Sequence, residues 1–175
     1  MFMINTAEDV IWAVETGNVD IHEKNSFNGM GTLHYNVLAG RMDVVVELIR
    51  HGVDVEQTDH DMRTPLMFAA RDQKTDMIDV FHAAGADINM TDRHGNTALH
   101  YCASSKQASE DAIVRLIELG ASQDLRNNQG MTPEDVGGAN THEIFQGYRN
   151  REQRTVLVSE LQEVEDERQR PRRKL

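Results

Sequence analysis

Eight histidines, one cysteine and 29 carboxylates are the side chains with which this 175-residue chain could bind a metal or catalyse a reaction. Cys102 has no second cysteine for a disulfide, and it forms no spaced four-ligand zinc set with the histidines. The motifs G-x-S-x-G, P-loop and H-E-x-x-H do not occur. The sequence therefore predicts no metal site, no cofactor and no enzymatic activity, which leaves binding as the chemistry to be explained.

The sequence D-R-H-G-N-T-A-L-H-Y-C at residues 92–102 recurs along the chain with a period of 33 residues. It corresponds to residues 59–69 and, one period earlier, to residues 26–36. A further copy begins at residue 127, after two additional residues between positions 103 and 120. Several residue types keep the period, namely Leu33, Leu66 and Leu99, Tyr35, Phe68 and Tyr101, and Gly52 and Gly85. A fixed period of this length is typical of a repeat array, in which each unit buries its apolar face against its neighbours.

The period, the T-P-L-H-like tetrapeptides and the G-A-D-I-N segment at residues 85–89 resemble the ankyrin repeat over residues 6–148. The resemblance implies an all-α solenoid of stacked helix-turn-helix units with protruding β-hairpin-like loops, plus a C-terminal helix. The expected units of this 1–148 domain are an N-terminal cap, three repeats and a C-terminal cap, at residues 6–25, 26–58, 59–91, 92–126 and 127–148. Residues 149–175 are expected to form a charged helical extension with a basic tail.

The helical pattern within these units predicts where the helices begin. The first helix is expected at residues 7–16, with Thr6 as its N-cap and Asp9 as the capping carboxylate. Because Leu33 follows Val10 by only 23 residues, we interpret the N-terminal cap as a unit that lacks its outer helix. Inner helices are expected to begin at Thr32, Thr64-Pro65 and Thr97, outer helices at residues 42–51 and 75–84 and around 112–117, and a closing apolar patch at Ile144, Phe145 and Tyr148.

The resemblance also implies roles for particular side chains. His34 and His100 are expected to hydrogen-bond the backbone of the adjoining unit, whereas Met67 takes that position in the middle unit and cannot. The aromatic row Tyr35, Phe68 and Tyr101 is interpreted as packing between helices rather than as a ligand cage.

Partners of ankyrin repeats usually contact the loop tips and the exposed side of the inner helices, so the resemblance places the binding residues there. Arg63, Arg71 and Arg93 stand out on this surface, because arginines and aromatic residues are the usual anchors of an interface. The alternative is that these arginines only pair with Asp61, Asp72 and Asp92. The candidate partner-binding residues are Phe27, Asn28, Met30, Leu38, His60, Asp61, Arg63, Arg71, Asp72, Arg93, His94, Asn96, Ser104 and Ser105.

The charge distribution constrains the kind of partner. The net charge is −11, but residues 1–167 carry 13 basic and 29 acidic side chains, a net of −16, while the last eight residues carry five basic side chains. A body this acidic repels phosphate backbones, so the basic tail is the remaining segment that could contact nucleic acid.

The predicted function is a non-enzymatic adaptor or inhibitor that binds a folded protein through its concave surface. Two alternatives are a structural subunit anchored through the C-terminal helix and tail, and a nucleic-acid-associated protein acting through the tail. The lone cysteine and the absence of a secretory signal in residues 1–10 or of a membrane-spanning stretch favour the cytosol, of the producing cell or of an infected host. The tail also suits nuclear import, and the oligomeric state is left open.

Overall fold

The computed structural model describes residues 4–17 and 20–169, without the side chains of residue 164 and residues 166–169. Most of the predicted basic tail therefore lies outside the described residues. The helices of the described part are α1 (Ala7–Thr16), α2 (Thr32–Leu38), α3 (Met42–Arg50), α4 (Pro65–Arg71), α5 (Thr75–Ala83), α6 (Ala98–Ala103), α7 (Glu110–Glu118), α8 (Pro133–Val136) and α9 (Ala139–Gln169).

These helices form two layers. The inner helices α2, α4, α6 and α8 pack against one another in chain order, and each also packs against the helix that follows it. In the outer layer α1 packs against α3, while α7 packs against both α5 and α9. The predicted all-α solenoid of helix-turn-helix units is confirmed. The protruding loops are built from turns, and the one β-bridge recorded among the described residues joins Lys24 to Gly31.

Short polar side chains fix the starts of the helices. The hydroxyls of Thr64, Thr97 and Thr132 accept hydrogen bonds from backbone N–H groups three residues ahead, at 3.4, 3.4 and 3.2 Å. Thr6 and Asp9 form the predicted capping box at the start of α1. Since each cap satisfies backbone donors that the helix itself leaves unpaired, these helix starts follow from local sequence.

The interpretation of the N-terminal cap is wrong, because α1 packs against the outer helix α3 and itself occupies the outer layer. The described residues before α1 contain no inner helix to pair with it. The loop after α1 begins at Gly17 in the left-handed region, as Gly52 and Gly85 do after the outer helices α3 and α5. This recurring glycine was the sequence signal for the outer position. Val14 in α1 is 41% exposed, because no inner helix of the described residues covers it.

The core is continuous from α1 to the first turns of α9. Leu33, Leu66 and Leu99 are almost completely buried, and Ile144 and Phe145 close the stack as expected. Helix α8 ends after four residues, and α9 then runs unbroken for 31 residues, so that the closing patch and the charged extension share one helix. No helix in the described part of the chain is long and apolar enough to cross a membrane.

The repeat histidines join adjacent units as the resemblance implied. The Nε2 atom of His34 lies 2.9 Å from the carbonyl oxygen of Arg63, and that of His100 lies 3.1 Å from the carbonyl oxygen of Met131. Their Nδ1 atoms accept the backbone N–H groups of Gly31 and Thr97. Both nitrogens of each buried ring are therefore used within the fold.

Candidate protein-binding surface

Four fingertip loops, residues 25–31, 59–64, 92–97 and 127–132, each fold around one polar side chain at their start. The Oδ1 atom of Asp59 accepts the backbone N–H groups of Asp61 and Arg63 at 2.9 Å each. Asp92 and Asn127 accept the equivalent pairs in the next two loops, at 2.8 to 3.1 Å. Sequence reasoning gave Asp59 and Asn127 no role and considered Asp92 only as an ion-pair partner, although the recurrence of these residues in the repeat alignment was the available signal. They hold the loops in shape without being exposed themselves.

Backbone hydrogen bonds join neighbouring fingertip loops into a row. The N–H of His60 donates to the carbonyl of Asn28 at 3.0 Å, that of Arg93 to Asp61 at 2.9 Å, and that of Asn128 to His94 at 2.9 Å. The predicted tip residues are therefore brought together along one edge of the solenoid. A partner that binds this edge would therefore contact loops whose arrangement is already fixed before binding.

The arginines of the concave surface are held by carboxylates. The Nη2 atom of Arg63 lies 2.6 Å from Asp59 Oδ2 and 3.4 Å from Asp61 Oδ2. Although burial of Asp59 opposes it, the hydrogen bonds and charge of Arg63 keep the pKa of that carboxyl below its usual value. Arg71 pairs with Asp72 at 2.9 Å. The Arg63–Asp61 and Arg71–Asp72 contacts are ion pairs of the alternative interpretation, and they also position the guanidinium groups.

The third predicted arginine pair is different. Arg93 Nη1 lies 3.8 Å from Asp61, and its Nη2 donates to the carbonyl oxygen of His60. Asp92, the expected partner, instead accepts the hydroxyl of Tyr101 at 2.7 Å. Arg93 is exposed, so its guanidinium is accessible to a partner.

Phe68 forms a platform beneath two of the arginines. The guanidinium carbons of Arg63 and Arg71 each lie 5.1 Å from the centre of the Phe68 ring, within cation–π range. The ring of His34 meets Phe68 edge-on, with centroids 5.4 Å apart. Phe68 itself is buried, as expected for packing, while Tyr35 and Tyr101 are half-buried and bonded through their hydroxyls to Asn28 and Asp92.

The other candidate residues divide by exposure. Phe27 is 92% exposed, and Leu38, His60, Asp72, His94 and Ser104 are exposed as well. Asn28, Asp61, Asn96 and Ser105 are half-buried. A shallow cavity of about 530 Å³ lies between α4 and α6, lined by Arg71, Asp72, Tyr101, Ser104, Ser105, Lys106 and Gln107.

Met30 is a correction to the candidate set, because its side chain is only 7% exposed and belongs to the core. In the first fingertip loop Asn25 pairs with the carbonyl of Met30 five positions on, whereas Asp59 pairs with that of Arg63 four positions on. The first loop therefore holds one extra residue. Met30, at the end of this loop, packs beneath the tip, whereas Phe27 projects from the tip into solvent.

Met62, at the tip of the second loop, was missed by sequence reasoning. Its φ is 64°, in the left-handed region that disfavours residues with a Cβ, and its side chain is 46% exposed. The corresponding tips of the other three loops carry Gly29, Gly95 and Gly130, all with positive φ. The sequence signal was a methionine standing at a glycine position of the repeat.

The titratable side chains do not form a reactive centre in the part of the chain that the structure describes. No group of three histidine, cysteine or carboxylate side chains there is placed to hold a metal ion. Burial raises the pKa of the Cys102 thiol to about 12, so this side chain stays protonated and packs as an apolar group.

A second concave feature, which we call the outer groove, lies between α9 and the outer helices α5 and α7. Its volume is about 1450 Å³. The charged lining comprises the acidic side chains of Asp79, Glu110, Asp111, Glu118, Glu152 and Glu160 and the basic ones of Arg115 and Arg151. The outer groove is thus acidic, in contrast to the arginine-bearing concave surface.

Comparison with known proteins agrees with this architecture. The family profile described as "Ankyrin repeats (3 copies)" matches residues 4–92, 33–127 and 66–145. The chain belongs to the ankyrin-repeat family. No catalytic family is indicated by this match, and ankyrin repeats typically act as protein–protein interaction modules.

Individual ankyrin-repeat relatives are much longer than this chain. Neurogenic locus notch homolog protein 1 of Homo sapiens is 37% identical over 106 residues, which is 60% of this chain and 4% of that protein. The B-cell lymphoma 3 protein homolog of Mus musculus is 29% identical over 119 residues, 67% of this chain and 26% of that protein. The chain thus spans only a small fraction of the length of the relatives it matches.

Proposed function

We propose that this ankyrin-repeat chain is a non-catalytic adaptor or inhibitor that holds a folded protein partner on its fingertip loops and concave surface. The proposed contact residues are the exposed and half-buried members of the candidate set, together with Met62. Met30 is left out because it is buried. A cytosolic site of action is part of this proposal.

The observation that carries the proposal is the strained and exposed Met62. A residue with a Cβ in the left-handed region costs roughly 1–2 kcal/mol relative to glycine, and the three sister loops avoid that cost. Strained backbone that persists at an exposed position is characteristic of binding sites. By contrast Gln73, the other such residue described, donates hydrogen bonds from its side chain to the carbonyls of Ala70 and Cys102, which gives it a structural role.

Two arginines and Phe27 also support a binding role for this surface. Arg63 and Arg71 are held over Phe68, so less conformational freedom is lost when a partner binds them. Phe27 exposes nearly its whole ring at the first tip. Ordered arginines flanked by exposed apolar side chains have the composition of an interface hot spot.

The test is affinity capture from native lysate, quantified by mass spectrometry, with two altered chains beside the wild type. The first is Met62→Gly, which is expected to stabilise the loop and reduce recovery of the partner. The second combines Phe27→Ala, Arg71→Glu and Arg93→Glu and is expected to reduce recovery at least about tenfold. Arg63 is left unchanged, because a glutamate there would face the buried carboxylate of Asp59 and damage the loop.

A matched control makes the same kinds of substitution in the outer layer, namely Ile11→Ala, Arg50→Glu and Arg115→Glu. This control is expected to recover the partner as the wild type does. The proposed surface would be refuted if the captured partner were lost equally from the control and the triple variant, or if the triple variant retained it.

A further inference from the structure

We propose that the C-terminal half of α9 pairs antiparallel with the same helix of a second copy of this chain. This part of the helix borders the outer groove as far as Glu160, yet its apolar side chains are largely exposed to water. Leu157, Val158 and Leu161 are 56%, 61% and 57% exposed. Most of the stability of a helix in a protein comes from packing an apolar face, so the uncovered cluster of Leu157, Val158 and Leu161 calls for a partner.

The spacing of the apolar residues fits a helix as that partner. Leu157 and Leu161 lie four residues apart and therefore one above the other on one face, with Val158 beside them. Placing Leu157 of one copy opposite Leu161 of the other puts a two-fold axis near residue 159. In this register Ser159 meets its own counterpart at the axis, and the two copies of Val158 are offset by two residues, or about 3 Å along the pair, so six apolar side chains are covered together.

The charge order along α9 selects a second copy and the antiparallel direction. Residues 149–154 carry three basic side chains and one acidic one, whereas residues 160–167 carry five acidic side chains and no basic one. An antiparallel pair sets the basic part of each copy against the acidic part of the other, while a parallel pair sets like charges together. Arg154, for which no ion pair is found among the described residues, then lies near Glu165 of the other copy, as does Arg151, which also pairs with Glu110 of its own chain at 2.7 Å.

The two repeat domains also favour this direction. Residues 1–148 carry 10 basic and 23 acidic side chains, a net of −13, so two such bodies repel each other. In a parallel pair the two acidic repeat domains would lie next to each other at the same end. In the antiparallel register the two copies of Tyr148 are 22 residues apart along the pair, or roughly 33 Å at about 1.5 Å per residue.

The test is the mass of the full chain in solution, measured by sedimentation equilibrium over a range of concentrations. The wild type is expected to form a dimer of twice its 19.8 kDa, and L157D/L161D is expected to associate at least about 100-fold more weakly. Both leucines are more than half exposed, so circular dichroism should show the repeats still folded. A wild type that stays monomeric, or a dimer unaffected by L157D/L161D, would overturn the proposal.

A charge exchange tests the pairing and a distance tests its direction. R151E/R154E alone and E160K/E165K alone are each expected to lose the dimer, and an equimolar mixture is expected to restore it as a heterodimer. Spin labels on Asn150→Cys are expected about 27 Å apart, against about 10 Å for a parallel pair. Failure of the mixture to associate, or the shorter distance, contradicts the antiparallel pair.

Discussion

Replacing Leu99 by alanine is expected to lower the free energy of unfolding by about 2–5 kcal/mol, as truncation of a buried leucine generally does. Leu99 is completely buried in α6, the inner helix that packs against both α4 and α8. The cavity would therefore weaken two junctions at once. Because the stability of a repeat array depends on the interfaces between its units, the loss should be felt by the whole stack.

Urea unfolding followed by circular dichroism measures this effect. The matched control is Leu125→Ala, since Leu125 is a leucine with 38% exposure in a loop, and it should cost much less. Equal losses for the two variants would mean that α6 is not the shared core of the repeats.

The second large effect is a loss of stability on mild acidification. Burial lowers the pKa of His34 and of His100 below their ordinary 6.5. In the unfolded chain both histidines bind protons as the pH falls through 6.5, whereas in the folded chain they remain neutral until a lower pH. The unfolded state then binds more protons, so the free energy of unfolding decreases as the pH falls below about 6.5.

Each buried histidine contributes at most about 1.4 kcal/mol per pH unit to this slope, and the slope should vanish above about pH 7.5. Urea unfolding at pH 7.5 and pH 5.5 measures it. The double variant H34Q/H100Q should be less stable at pH 7.5 but show a flatter slope. H60Q/H94Q, which changes two exposed loop histidines, should keep the wild-type slope.

Carboxylates do not reverse this expectation. Carboxylates with lowered pKa, such as Asp59, lose their contribution only below their usual 3.8. A stability that does not change between pH 7.5 and 5.5 would contradict the buried, neutral state of the two histidines.

Much of the fold could be predicted from the sequence because its signals are local. The threonine hydroxyls that start the inner helices, the glycines that end the outer ones and the buried leucines each act within a few residues and repeat every 33. The layer occupied by α1 was harder, because it depends on which helix α1 packs against. The spacing from Val10 to Leu33 points to a missing outer helix, whereas Gly17, in the same left-handed conformation as Gly52 and Gly85, correctly indicates that α1 is the outer helix.

The candidate surface was less predictable than the fold. Repeat alignment located the loop tips, but it placed Met30 on the surface, since one extra residue in the first loop has no counterpart in the others. The alignment also does not reveal that Arg63 pairs with Asp59 as well as with Asp61. That ion pair forms because the buried carboxylate of Asp59 needs a charged hydrogen-bond donor. The sequence shows a methionine at Met62 where the sister loops carry glycine, while the backbone angle itself is seen only in the structure.

Hydrogen exchange on the captured complex, compared with the free chain, tests the central proposal most directly. If the partner binds the proposed surface, amide exchange should slow in the fingertip loops 25–31, 59–64 and 92–97 and at the exposed ends of the inner helices α2, α4 and α6. The outer helices α3, α5 and α7 should exchange as in the free chain. Protection confined to those outer helices or to α9, with the fingertip loops unchanged, would contradict the proposed binding surface.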